Sequence, residues 1–291
     1  MTLVDVNSMF STDDKCRELL KKLRWPNGVK CLRCGGPNTF EVSSYKYECR
    51  ECAYQFTVTA QSIFHDSHLP LTTWFLAVLL IVEAKKGISA SQLKRTLGIA
   101  YKTAWYLCHR IRKAMDEGRP EKLMTGTVEM DETYVGGKAH GPRGRAALSK
   151  EIVVGIRERR GELRFFRATD VTSGTLAKYI QEHISEDVDV LVTDQFPSYG
   201  PAAGMRKHET VNHSAGEYAR GDFHTNTIES AFSLLKRGII GSWHKVSAKH
   251  LPSYLNEMMF RFNRRKNSDL FVDTLKHMIT ADPLTFEKLT A

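Results

Sequence analysis

Long apolar runs are missing from this chain. The longest uninterrupted one, Trp74 to Val82, spans nine residues, against the ~20 that a membrane-crossing helix requires. The opening residues Met1 to Lys15 show no basic segment followed by an apolar one, so a secretory signal is not expected. Acidic residues are in deficit: 33 Asp and Glu stand against 42 Lys and Arg, a formal charge of +9. A hydrophobic fraction of 42% and a charged fraction of 26% exclude wholesale disorder and collagen-like repeats. These absences leave a soluble, cytoplasmic, basic protein with no membrane partner and an acidic one such as nucleic acid.

What is there is unevenly spread. At 291 residues the chain suggests about two domains of ~150 residues each, or one with appendages. Residues 80–119 carry nine Lys/Arg and three Asp/Glu, and residues 236–266 carry eight against one. Two concentrated basic zones fit a polyanion footprint; solvated helix faces are the plainer alternative.

Four of the six cysteines are spaced for metal. Cys31-Leu32-Arg33-Cys34 and Cys49-Arg50-Glu51-Cys52 are paired CxxC units, and two tight turns that each aim two thiolates at one ion complete a tetrahedral site. Without a secretory signal, structural Zn²⁺ is preferred to disulfides, with redox dithiols as the alternative. Four thiolates leave no open position, so the ion would fold a segment too small to fold alone. Cys16 and Cys108 read as core side chains.

Thr72 or Thr73 is expected to cap a helix running to about Lys86. Ser89 then caps a short helix to Leu97, Gly98 opens a turn, and a further helix runs from about Lys102 to Met115. Two helices joined through a glycine fit a helix-turn-helix, whose second helix enters the major groove. Lys102, Thr103, Arg110, Arg112 and Lys113 on that helix are the candidate DNA contacts; an ordinary helical bundle is the alternative. Gly118-Arg119-Pro120 reads as a linker.

From Thr125 the pattern changes to strands around Asp131, then 151–159 and 162–170, a helix near 174–184, and a strand ending at Asp194. That order matches a ribonuclease-H-like mixed sheet, with the strand after the crossover parallel to the first. A helix from His224 to about Arg237 carries Glu229 and, two turns on, Lys236. Three converging acids suit two Mg²⁺ or Mn²⁺ ions that stabilise the attacking and leaving oxygens of a phosphodiester, and Lys236 can hold a phosphate beside them. Glu132 should point to the opposite face of its strand. His224 and Asn226 can orient substrate, Asn226 alternatively capping its helix, and Asp222 is a weaker substitute for Glu229. Trp243 and His244 can contact DNA or, for the tryptophan, pack in the core. Arg261, Arg264 and Arg265 are further phosphate contacts or a solvated face.

The blocks LRWPNGVKCLRCGG, MDETYVGG, VTDQFPSY and the stretch from His224 to Arg265 resemble the bacterial insertion-sequence transposases of the Asp-Asp-Glu type that carry an amino-terminal zinc ribbon. The resemblance runs from about Leu23 to Asn267. It implies an α+β architecture with a ribonuclease-H-like catalytic domain, behind a zinc ribbon and a helix-turn-helix. It also implies binding to terminal inverted repeats, and metal-dependent hydrolysis and strand transfer into target DNA by a homo-oligomer on DNA. The family's catalytic carboxylates correspond to Asp131, Asp194 and Glu229, followed by Lys236. One departure is Ala53, where a glycine would be usual, which questions the local turn geometry. The domains expected are 1–30 as a helical arm, 31–62 as ribbon, 70–118 as helix-turn-helix and 125–291 as catalytic domain, in a protein associated with the nucleoid when bound to DNA. A DNA-binding regulator with an inert ribonuclease-H-like domain is the alternative, and a nuclease without strand transfer a third.

Overall fold

The computed structural model describes residues 1–118, 121–136, 150–212, 215–217 and 219–291. It forms two compact units, one of Met1–Asp116 with Arg264–Ala291 and one of Glu117–Asn263. Arg119 and Pro120 of the expected linker lie outside the described residues; Gly118 adopts a left-handed φ of 65°.

The first unit begins with α1 (Leu3–Met9) and α2 (Asp13–Arg24). Thr12 caps α2 by accepting from the Lys15 amide, and Asp13 and Asp14 at its start oppose Lys21, Lys22 and Arg24 at its end, as the helix dipole favours. A three-stranded antiparallel sheet follows, β1 (Thr39–Ser43), β2 (Lys46–Cys49) and β3 (Gln55–Thr57). Next comes α3 (Leu71–Glu83), which starts two residues or so before the expected caps: Pro70 precedes it and no side chain caps it. It is apolar nearly all round and burial matches, with Trp74, Phe75, Val78 and Ile81 essentially inaccessible. In α4 (Ala90–Leu97) Ser89 accepts from the Gln92 amide, and the helix ends at Gly98 with φ 68°, a conformation open to glycine without steric cost. α5 (Tyr101–Ala114) then begins.

The sequence placed everything to residue 291 with the strands, but the final segment groups with the first unit. There α10 (Leu270–Thr280) packs against α2, α3 and α5, and Phe271 meets Phe10 and Phe75 at centroid distances of 6.2 and 5.8 Å. The Ile63 amide donates to the Met278 carbonyl, and α11 (Phe286–Thr290) closes the unit. Burial of Phe271, Leu275, Met278 and Ile279 is the driving term, at about 1.5–3 kcal/mol for each large apolar side chain.

The second unit is a five-stranded mixed sheet flanked by helices. Its strands are β4 (Thr127–Val135), β5 (Glu151–Glu158), β6 (Leu163–Ala168), β7 (Val190–Asp194) and β8 (His208–Val211), in the spatial order β6-β5-β4-β7-β8. The first three pair antiparallel, and β7 joins parallel to β4 through Thr127↔Val190 and Glu129↔Val192. That is the parallel return expected after a helical crossover, here α6 (Ser173–His183). The edge strand β8 and the short α7 (Tyr199–Ala203) were not anticipated.

Alternation along each strand divides the core in two. Val128, Met130, Val154, Ile156 and Leu191 face α6 and α7. Val135, Val153 and Phe165 face α8 (Asn226–Gly238) and α9 (Leu251–Asn263). The Leu163 amide donates to Asn263 Oδ1 and the Asn263 side chain returns a bond to the Leu163 carbonyl, which pins the end of α9 to β6.

Candidate active site and metal centre

The four spaced cysteines converge. All of their sulfurs lie within 4.8 Å of one another, with Cys31 to Cys52 and Cys34 to Cys49 at 3.6 Å. A tetrahedral site with Zn–S bonds of about 2.3 Å has sulfur–sulfur edges of about 3.8 Å, so the donor set fits the ion expected. The two knuckles match: the Gly35 amide donates to the Cys31 carbonyl and the Ala53 amide to the Cys49 carbonyl, each at 2.9 Å. Gly35 takes φ 76° and Ala53 φ 54°; the alanine therefore occupies the left-handed conformation that glycine would adopt unstrained. Burial works to raise the Cys31 thiol, but amides of Cys34 and Arg33 and the neighbouring thiols outweigh it and bring its pKa down to about 6. Cys34 and Cys52 are raised in the same cluster, so one thiol gives up its proton at its neighbours' expense, and the fit to a metal rests on the sulfur geometry. Cys16 and Cys108 are buried, as core residues should be.

In the second unit Asp131 lies on β4 and Asp194 ends β7. Their strand partners place both on the side of the sheet covered by α8, whose first turn carries Glu229. Glu229 is solvent-exposed, while Asp131 and Asp194 are half-buried. Asp194 Oδ1 accepts from the Phe196 amide at 3.0 Å and Asp131 Oδ1 from the Glu132 amide at 2.8 Å. Glu229 Oε1 accepts from the Thr225 hydroxyl at 2.9 Å. Burial first, then the charges of Glu132, Asp194 and Glu229, push the Asp131 carboxyl well above its ordinary pKa. Clustered acids behave this way when no cation offsets them. Among the described residues the four cysteines alone form a group of three or more ligands whose atoms all lie within 4.8 Å; the three carboxylates are more loosely gathered. As a donor set, three oxygen acids on one face fit hard divalent ions such as Mg²⁺. Lys236 is exposed in the last turn of α8.

Glu132 does point to the opposite face, where it is buried and Oε2 accepts from the Tyr199 hydroxyl at 2.8 Å. Asp222 is exposed in the approach to α8, and Asn226 is the first helical residue rather than the cap. Two charged residues escaped the sequence reading. Glu129, fully buried, pairs with Arg159 at 2.7 Å and with His224 Nδ1 at 3.3 Å. Period-two alternation was the available signal: Glu129 precedes Asp131 by two residues and shares its face.

The helix α5 divides its basic residues. Lys102 and Lys113 are exposed and Thr103 is half-buried. Arg110 and Arg112, expected to meet DNA, are instead only 3% and 2% exposed. Arg110 lies over the Trp74 and Tyr106 rings and donates to the His65 carbonyl, so its charge is spent inside the unit. Arg261 is likewise buried, 3.1 Å from the fully buried Glu257, which removes it from the expected phosphate contacts. Arg264 pairs with Asp273 at 2.9 Å, and Arg265 is exposed. Trp243 is buried against Tyr254 at 4.9 Å, whereas His244 is exposed.

Among the described residues no helix is long and apolar enough to cross a membrane. Residues 123–263 match the ISXO2-like transposase domain, and residues 11–55 match a transposase zinc-ribbon domain. The chain is 30% identical over 275 residues to an uncharacterized protein in transposable element ISH50 of Halobacterium salinarum, covering 87% of this chain and 91% of the relative. Two solved assemblies are also similar. One is a pre-cleavage Mos1 transpososome, at 10% identity and a TM-score of 0.29 over 69% of this chain and 74% of that one. The other is the Mos1 strand transfer complex, at 11% identity and 0.30 over 70% and 74%.

Proposed function

Because this chain belongs to the ISXO2-like transposase family, we propose that it binds the terminal inverted repeats of an element and cuts and joins DNA there with Asp131, Asp194 and Glu229. The observation that carries this reading is that Asp131 and Asp194 lie on neighbouring strands and face the side of the sheet covered by α8, which bears Glu229 in its first turn. Two Mg²⁺ or Mn²⁺ ions held by these carboxylates would supply Lewis-acid activation of the attacking oxygen and charge stabilisation of the leaving one.

The chain's own residues do the rest. Asp131 is held by a rigid central strand, and Asp194 by the turn that Phe196 closes onto it. Glu229 is oriented by the Thr225 hydroxyl. Lys236, exposed two turns along the same helix, would offer a cation to a phosphate oxygen. In hydrolysis, water displaces a 3′-oxygen from phosphorus and leaves a free 3′-hydroxyl. In strand transfer, that hydroxyl forms the new phosphorus–oxygen bond while a target 3′-oxygen departs. The helix pair α4–α5 would act as a helix-turn-helix, offering Lys102, Thr103 and Lys113 to DNA. With the ribbon it supplies salt-sensitive phosphate contacts, and strand transfer joins two ends, which calls for a homo-oligomer.

The test is Asp194→Asn in the full chain with labelled end-repeat DNA. End binding should persist within about twofold while Mg²⁺-dependent cleavage falls to background. Wild-type cutting rates in the variant overturn the assignment, and binding without any cutting by the unmodified protein favours the regulator.

A further inference from the structure

Glu129 has an arrangement that neither an ordinary core ion pair nor a local helix cap explains. Its carboxylate is inaccessible to solvent, and both oxygens are in use. Oε2 accepts the first free amides of α8, from Thr227 at 2.8 Å and Ile228 at 3.0 Å. Oε1 takes Arg159 Nε at 2.7 Å. The remaining guanidinium nitrogens of Arg159 reach the Asp222 carbonyl at 2.7 Å and the His224 carbonyl at 3.1 Å. Arg157, two residues earlier and within β5, donates to the Thr227 carbonyl. The turn into α8 is thus gripped on its main chain by charged side chains from β4 and the β5 end.

A helix start is ordinarily satisfied by its own N-cap serine, threonine or aspartate. Here Thr225 occupies that position, makes no side-chain cap bond, and gives its hydroxyl to Glu229 instead. The capping is done by a residue 98 positions upstream of Thr227. Burying a carboxylate is costly, and a buried ion pair is weak grounds for stability. What this one supplies is register: it ties α8 to the one strand that bears Asp131, two residues from Glu129. The distance between two reacting groups matters steeply, with a misplacement of about 1 Å costing about 100-fold in rate.

We propose that Glu129 is a positioning residue that fixes Glu229 relative to Asp131 by clamping the start of α8 to β4, with Arg159 as its second jaw. Its consequence for cleavage rests on the transposase reading above; the clamp itself does not.

The experiment uses full-length Glu129→Asp, which keeps the charge beside Arg159 but draws the carboxylate back from the α8 amides. Hydrogen exchange at Thr227 and Ile228 should accelerate at least tenfold while the rest of the sheet is unaltered. Mn²⁺ should bind at least fivefold more weakly by paramagnetic resonance. Cleavage at saturating end DNA should fall about 100-fold, with half-saturation by DNA within twofold. Exchange and Mn²⁺ binding at wild-type levels in the folded variant overturn the proposal. So does full retention of turnover by the variant when the wild type cuts, or a loss of DNA affinity that matches the loss of rate. If Glu129→Asp does not fold, Arg159→Lys decides by the same exchange readout, since lysine cannot fork to the Asp222 and His224 carbonyls. Should the wild type leave end DNA uncut in Mg²⁺, the transposase reading falls, while exchange and Mn²⁺ binding still decide the clamp.

Discussion

Gly155 lies directly across the β4–β5 ladder from Asp131. A methyl group on it would come within 2.7 Å of both Ile228 and Phe232 of α8. The missing side chain therefore lets the helix that bears Glu229 lie flush on the strand beside Asp131. Gly155→Ala should destabilise the protein by about 1–3 kcal/mol through overpacking, and lift α8. Cleavage should fall further than end-DNA affinity. Thermal melts and single-turnover cleavage test this; an unshifted melt with full activity would show that the helix has room.

Asp131→Asn should raise thermal stability in EDTA while abolishing cleavage. The Asp131 pKa is raised in the folded protein, by burial first and then by its acidic neighbours. Between the unfolded and folded values the native state holds a proton that the unfolded chain has released, so stability falls as pH rises through that window. Above it the whole penalty remains, and asparagine removes it. The stability gain should therefore be present at neutral pH and vanish near pH 3; a gain independent of pH would point to another cause.

Arg110→Ala and Lys102→Ala should separate folding from binding. The first removes a guanidinium lying over Trp74 and Tyr106 and should cost roughly 1–3 kcal/mol of stability, leaving the DNA affinity of the folded fraction intact. The second, exposed on the same helix with its ammonium 4.5 Å from the centroid of the Phe286 ring, should cost no more than about 1 kcal/mol of stability and reduce the slope of log affinity against log salt by about one. The reverse pattern would return Arg110 to the DNA surface.

Ala53→Gly should tighten the ribbon. Alanine at φ 54° carries left-handed strain of about 1 kcal/mol. Because metal binding and folding of such a segment are one equilibrium, relief should appear as about fivefold tighter zinc in a chelator competition. Chelation should also unfold the cluster of Tyr47, Phe56 and the cysteines, seen as lost near-ultraviolet dichroism.

How much of this was written in the sequence depends on the range of the interaction. The cysteine site was legible because spacing within each pair fixes its geometry. Strands β4 to β7 were legible because their alternation is local, and Asp131 and Asp194 came with them. Strand β8 was missed because His208–Val211 is short and mostly polar. Arg110, Arg112 and Arg261 were misplaced because a long cationic side chain on a helix can turn to solvent or inward. Which it does is decided by partners such as Trp74 and Glu257 that no spacing rule connects to it. Glu129 was overlooked for the same reason: its partners arrive from the turn after β5 and from α8.

The polypeptide leaves the first unit at Asp116 and comes back to it at Arg264, bringing the Phe271 ring tilted against Phe10 and edge-on to Phe75. The first unit therefore completes its interior with side chains separated from Asp116 by the whole of Glu117–Asn263, so its core is closed by a segment that local order along the chain does not supply. A fragment that stops before Arg264 leaves Phe10 and Phe75 without the ring of Phe271 that covers them, and so exposes apolar surface that the longer chain hides.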